Sequence, residues 1–400
     1  HLGLPRVRVS FCPPLELEIS DPRLRTALLT LAGADDPARV TTALDELRGV
    51  VADTPDDPHL LYATEVRASR VVRRGELPAP EEAIAQVLDA GAGSDLVGFY
   101  AAGTVYRGFA NSLGQHNWHE IESFSFDWSL YHRADKAIKT SYAGFQWSED
   151  ELRRRMQRAR TQYAALERPS MRIAPGRYRV WLAPAAVYEL TSMLSWGGFG
   201  GRAHATKQTC LLRMLTGDAR MSDRVTITEN LADGIAPAFQ SDGFVRPERV
   251  ALIADGRLGD ALVSPRTAKE FGLAHNGASA AEMPEALDMA PGTLRTDEAL
   301  QRLGTGLYVS NLWYTNFSDR PACRVTGMTR FGTFWVEGGE VVAPVDVMRF
   351  DDSLLRVFGD HLEGLTAERD FLPNPHTWHE RSVESARVPG ALVSEFALTL

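Results

Sequence analysis

Residues 116–120 read HNWHE, two imidazoles and a carboxylate in five positions, which are donors of the kind a metal ion takes. A helical metal pair needs both rings on one face, as in H-E-x-x-H with histidines at i and i+4. Here His116 and His119 stand three apart, and Glu120 follows the second ring. The stretch runs straight into ESFSFDW, whose alternation is that of a strand. Carried back along that strand, His116 and His119 point to opposite faces, both half-exposed, and share no ion. A second pair, His376 and His379 with Glu380, lies in a Pro-flanked segment that reads as a solvated loop. No H-E-x-x-H or H-E-x-x-x-H occurs anywhere in the chain.

The segment FGGRAHATKQTC, residues 199–210, offers a different chemistry. Glycines open a loop before a helix, with Arg202 and His204 at its mouth and Cys210 six residues beyond the histidine. Cys210 as nucleophile and His204 as base would make a Cys–His hydrolase, but no third group is evident to orient the base. Beside Leu211 and Leu212, Cys210 reads better as a small buried hydrophobe. There is no G-x-S-x-G, and GGFGG at 197–201 lacks the lysine of a phosphate-binding loop. In VTGMTRFGTFWVEGGEVVAPV, Arg330 stands ahead of a hairpin, where it would bind a carboxylate or a peptide backbone, or simply cover the sheet edge.

The elements that must position these residues fall into two parts. Before residue 168 strands and helices mix. LELEI and ESFSFDWSLY alternate, as does RVRVSF. The segments 21–32 and 36–52, behind Asp-Pro starts, and 80–91 carry apolar residues at helical spacing. In 122–131, Phe124, Phe126, Trp128 and Leu130 share one face. The clearest helix is 148–167, opened by a Ser148/Glu151 capping box and striped by Leu152, Met156, Ala159 and Tyr163. The Pro- and Gly-containing loop 168–176 is the expected boundary. Beyond it come a strand at 177–183, a helix from Pro184, and further helices at 206–215, 264–271 and 351–365. Short strands fill the rest, with hairpin turns at Asp255-Gly256 and Gly338-Gly339. The expected fold is α+β: a mixed α/β domain over 1–168, expected to be incomplete at its start, then a β-rich, barrel-like domain over 169–400 with a few helices.

Composition narrows the function. The net charge of −9, from 52 acidic and 43 basic residues, and the absence of a basic run argue against nucleic-acid binding. Three scattered cysteines do not make a disulfide framework and fit a reducing compartment. No apolar stretch approaches the ~18 residues of a membrane span. HLGLPRVRVSF lacks the marks of a signal peptide, and it starts on His, so the chain is expected to be cytoplasmic, with residues missing upstream.

FANSLG at 109–114, GRYRVWLAPAAVYELTSML at 176–194, SDGFVRPERVALIADGRLGDALVSPRTAKEFG at 241–272 and the run 306–345 together give a resemblance. In their order and spacing the chain resembles the TldD/PmbA family, on its TldE (PmbA) side, from about residue 95 onward. The resemblance implies a two-subunit peptidase: TldD-type chains carry an H-E-x-x-x-H zinc helix, and TldE-type chains share the fold without the ligands. The corresponding segment here, APAAVYELTSMLSWGG, contains no histidine. The implied role is a non-catalytic subunit with no cofactor of its own, paired with a TldD-like zinc-bearing partner. Its substrates would be peptides or unfolded protein, through leader trimming or degradation in an enclosed chamber. Arg202, His204 and Arg330 are the candidates to face them. The family's link to DNA gyrase finds no support in a chain of this charge. The alternatives are a self-assembling peptide-binding scaffold and the metal-independent Cys210/His204 hydrolase.

Overall fold

Strand alternation and helical stripes build the first layers largely as their periods require. The computed structural model describes residues 15–20, 26–31, 37–51, 53–133, 136–378 and 380–400. Strands β1 (Leu15–Ser20) and β2 (Thr26–Leu31) pair antiparallel, Leu15 opposite Leu31 and Leu17 opposite Leu29. The helix expected over 21–32 is therefore a strand where it is described. A short Leu-rich run fits both periods, and pairing with β1 decides between them. The RVRVSF strand lies outside the described residues. Helix α1 (Pro37–Val51) follows its Asp-Pro start.

Next come β3 (Ser69–Arg73), α2 (Pro80–Ala90), β4 (Leu96–Ala110), β5 (His116–Arg133), β6 (Lys136–Gly144) and α3 (Glu149–Leu166). Strand β5 is the spine of this sheet, antiparallel to β4 and β6 and parallel to β3. Ser148 caps α3 by accepting from the Glu151 amide at 3.3 Å, as the capping box implies. Leu152, Met156 and Ala159 of α3 pack on Phe124, Phe126, Trp128 and Leu130, with the rings of Phe126 and Trp128 stacked at 4.4 Å.

The remaining chain runs β7 (Gly176–Leu182), α4 (Pro184–Ser195), α5 (Gly201–Ala205), α6 (Leu212–Leu215), β8 (Ile227–Asn230), β9 (Arg249–Ala254), β10 (Arg257–Leu258), α7 (Pro265–Phe271) and β11 (Ala286–Met289). It continues with α8 (Ala299–Leu303), β12 (Gly306–Val309), β13 (Trp313–Asp319), β14 (Arg324–Met328), β15 (Thr333–Glu337) and β16 (Glu340–Pro344). Last are β17 (Arg349–Ser353), α9 (Leu354–Val357), β18 (Leu362–Pro373) and β19 (Ser385–Leu398). These strands form one 13-stranded sheet in the order β10-β9-β8-β11-β19-β7-β12-β15-β16, with β18 and the β17-β14-β13 branch attached through β19.

The sheet does not close, so the barrel-like expectation is corrected. Its ends, β10 and β16, are the outer arms of tight hairpins, and no further strand pairs with either among the described residues. Both turns have two left-handed residues, Asp255 and Gly256 at φ +47° and +72°, Gly338 and Gly339 at +56° and +85°. That is the primed geometry matching strand twist. Two expected helices also shrink. The helix over 206–215 is the single turn α6, and that over 351–365 is β17, α9 and the start of β18, because Leu362 onward pairs with β19. Helix α4 lies on the sheet and buries Ala186, Val187, Leu190 and Leu194 in the main core. No described helix is long and apolar enough to cross a membrane.

Candidate functional site

The histidine pair of HNWHE falls at the start of β5, which does extend back over it. His116 is exposed and His119 buried, so the two rings take opposite faces as expected. His119 is nevertheless not half-exposed. The loop after β8 covers it, and its Nε2 lies 3.0 Å from the Ile235 carbonyl, while Nδ1 has no partner. Burial holds this imidazole below its usual range. His376 is exposed, and His379 lies outside the described residues.

Helix α4 occupies the segment that the sequence resemblance sets against a zinc helix. Its outward face presents Tyr188, Glu189 and Ser192, partly buried. Thr315 Oγ1 lies 3.5 Å from Glu189 Oε2. Burial raises the Glu189 carboxyl above its usual range, opposed by nearby Lys139. Burial, with Glu189 and Glu384 adding, pushes Tyr188 up to about 12. Set on Glu189, the only acid of α4, an H-E-x-x-x-H would need histidines at positions occupied by Tyr188 and Met193. Among the described residues no three His, Cys, Asp or Glu side chains gather as a metal needs. The donors present do not fit a zinc ion, which takes three protein ligands and a water in a catalytic site.

Immediately after α4, the GGFGG run forms a tight wall. A Cβ on Gly198 would sit 2.1 Å from the Leu194 carbonyl, and one on Gly201 2.8 Å from Val263. This wall and α5 border an open cavity of about 840 Å³, closed on its other sides by Glu282 and by Arg320 and Pro321 of the turn after β13. Arg202 faces the cavity, with Nη1 3.6 Å from Glu270. Glu282 is buried, and its carboxylate accepts from the Arg202 and Ser264 amides at 2.8 Å each. Arg320 donates to the Trp196 carbonyl at 2.5 Å and the Gln208 carbonyl at 3.3 Å.

The expected site residues are thus only partly brought together. Arg202 lines the cavity. His204, on the same short helix, places Nε2 2.7 Å from the Gly198 carbonyl. Arg330 lies elsewhere, its guanidinium 4.4 Å over the Trp313 ring on β13. Cys210 does not meet His204: it is fully buried, as expected, and its sulfur accepts a hydrogen bond from Cys323. That bond holds the Cys210 thiol below its usual range and, with burial, Cys323 well above. Sequence reasoning did not find Lys207, Glu282 or Arg320. Lys207 and Arg320 stood in quoted segments without a partner to mark them, and nothing local to Glu282 signals its place under α5.

Residues 175–400, from β7 to the last residue, match the PmbA/TldA metallopeptidase C-terminal domain. The chain belongs to the PmbA/TldD family. Over 154 residues it is 34% identical to metalloprotease PmbA of Escherichia coli O157:H7, covering 37% of this chain and 32% of that protein. The match therefore spans about a third of that curated relative. The fold resembles TldE from Thermococcus kodakarensis, with a TM-score of 0.75 at 14% identity over 96% of this chain and 88% of that one. A protein of Thermotoga maritima described as a modulator of a DNA gyrase gives 0.74 at 13% identity with the same coverage. One of Bacteroides thetaiotaomicron, similarly described, gives 0.73 at 16%, again with the same coverage.

Within this PmbA/TldD domain the most perturbed carboxylate lies away from the cavity. Glu229 of β8 accepts from the Glu285 and Ala286 amides at 3.2 and 3.1 Å, and Arg246 Nη1 lies 3.9 Å away. Arg246 also reaches the Pro237 carbonyl and Glu285. Burial pushes Glu229 up to about 7, with the two amides and Arg246 opposing. This cluster lies under the loop that covers His119, where it ties the loop to the sheet.

Proposed function

We propose that the chain is the zinc-free, TldE-like subunit of a two-chain metallopeptidase, acting on peptides or unfolded protein with a TldD-like partner that carries the metal. One observation carries this reading. In a PmbA/TldD domain, α4 keeps Glu189 on its outward face, while Tyr188 and Met193 stand where an H-E-x-x-x-H would set its histidines. The chain then contributes binding surface, with Arg202, His204 and Arg330 as candidate chamber residues, and the reaction belongs to the partner. The division into 1–168 and 169–400 and a cytoplasmic setting are part of the same reading.

Mixing the purified chain with a TldD-like chain bearing an intact H-E-x-x-x-H tests it. Association and peptide cleavage are expected in the mixture, with none from this chain alone. Cleavage by the isolated chain as fast as by the pair would overturn the proposal. Within the pair, Ala at Arg202, His204 or Arg330 is expected to change cleavage without weakening association.

A further inference from the structure

We propose that the cavity beside α5 binds a carboxylate group of a peptide through Arg202, Lys207 and Arg320. The subunit reading supplies only the carrier, a peptide; the carboxylate preference rests on the cavity itself. Three cations from separate positions face one open space of about 840 Å³, in a chain whose net charge is −9. The nearby acids are already engaged. Glu282 accepts two backbone amides, and Glu270 lies 3.6 Å from Arg202. Lys207 is exposed and makes no ion pair among the described residues. Arg320 uses Nε and Nη2 on carbonyls, which fixes the guanidinium and leaves Nη1 without a hydrogen bond. Charge-assisted bonds from such fixed donors suit a carboxylate better than a neutral amide.

The backbone points to the same place. Five non-glycine residues among those described take left-handed φ values, and two of them, Lys207 at +55° and Glu282 at +50°, line this cavity. A third, Cys323 at +50°, lies two residues beyond Pro321 in its wall. Side-chain-bearing residues rarely adopt this conformation, and it concentrates where a fold holds a ligand clamp. Here it turns Lys207 out at the end of α5 and Glu282 in beneath it.

Calorimetric titration with three acetylated tetrapeptides tests the proposal, on the chain and on the reconstituted pair. The probes are tetra-alanine as free acid, the same peptide as its amide, and an amide with one Ala replaced by Glu. An acid-bearing probe is expected to bind about tenfold or more tighter than the neutral amide, with the difference shrinking as salt rises. Binding of the free acid alone assigns a peptide C-terminus, and binding of the Glu peptide alone an acidic side chain. Binding of both assigns any carboxylate. Lys207→Gln and Arg202→Gln are expected to remove most of the difference while the circular dichroism melt stays in place. Equal binding of all three probes, or none, overturns the proposal. If the pair cleaves peptides without charge preference, this inference falls and the subunit reading stands. If acidic probes bind but no partner associates, the subunit reading falls and the site stands.

Discussion

Replacing Glu229 by glutamine removes a buried carboxylate whose ionisation is pushed up to about 7, and its effect can be worked out with sign. Glu229 is 3% exposed, and burial moves its carboxyl from an ordinary 4.5 to about 7. At about 1.4 kcal/mol per pKa unit, that is about 3 kcal/mol. The folded protein holds this proton more tightly than the unfolded chain. The stabilisation is therefore complete below pH about 4.5 and is lost as pH rises through about 7. Glutamine carries no such linkage, but its amide nitrogen would face the Glu285 or Ala286 N–H, donor against donor. That adds a pH-independent cost of roughly 1–3 kcal/mol. Glu229→Gln is thus expected to be less stable than the parent at pH 5, with the gap closing or reversing by pH 8. Urea unfolding of both proteins at several pH values, followed by tryptophan fluorescence, measures it. Other titrating groups are common to both proteins and cancel in the difference. Parallel stability curves for the two proteins would refute the reasoning.

Cys210→Ala is expected to lower stability by on the order of 1 kcal/mol, from a small buried cavity, and to leave cleavage by the assembled pair within a few-fold; a loss of about a thousandfold would restore a nucleophile's role. Gly256→Ala should cost more than about 2 kcal/mol in the same urea assay. Its left-handed φ alone disfavours alanine by about 1 kcal/mol, and the added Cβ would lie 2.3 Å from the Met221 carbonyl. Metal analysis of the chain purified without chelator is expected to find no stoichiometric transition metal, and one held by His116 or His119 would contradict their opposite placement on β5.

What the sequence discloses here is what local chemistry decides. Asp255-Gly256 and Gly338-Gly339 are hairpin turns because two successive left-handed residues are easiest there, and Ser148 starts a helix because its hydroxyl reaches a free amide. Phe124 to Leu130 were legible as one apolar face. Their alternation did not disclose that Ser123 and Ser125, on the reverse face, are buried too. His119 was misjudged for the same reason: its exposure depends on a loop over a hundred residues later. The pairing of β2 with β1, the capture of 362–373 by β19 and the meeting of Cys210 with Cys323 are likewise long-range outcomes. The cavity beside α5 was half legible. Its glycine wall and Arg202 lie in one segment, but Glu282 and Arg320 arrive from positions that only the folded sheet brings near.

Under the proposed subunit reading, helix α4 explains how the domain keeps its architecture without metal ligands. The residues that hold the helix to the sheet are Ala186, Val187, Leu190 and Leu194, all fully buried. Glu189 and Ser192 point the other way, while Tyr188, half-buried, packs against the edge of the same core. A histidine at 188 would keep only part of the tyrosine's packing against that core edge. Position 193 differs, because Met193 is 3% exposed and belongs to the core cluster. A histidine in its place would put an imidazole among apolar neighbours, a burial that disfavours the ring unless both nitrogens find partners. The two positions are therefore unequal. Tyr188→His is expected to cost on the order of 1 kcal/mol from lost packing, Met193→His on the order of 2 kcal/mol, and the double variant to bind zinc weakly for want of a third ligand. Tight zinc binding by the double variant would mean that the outward face of α4 already carries the rest of a metal site.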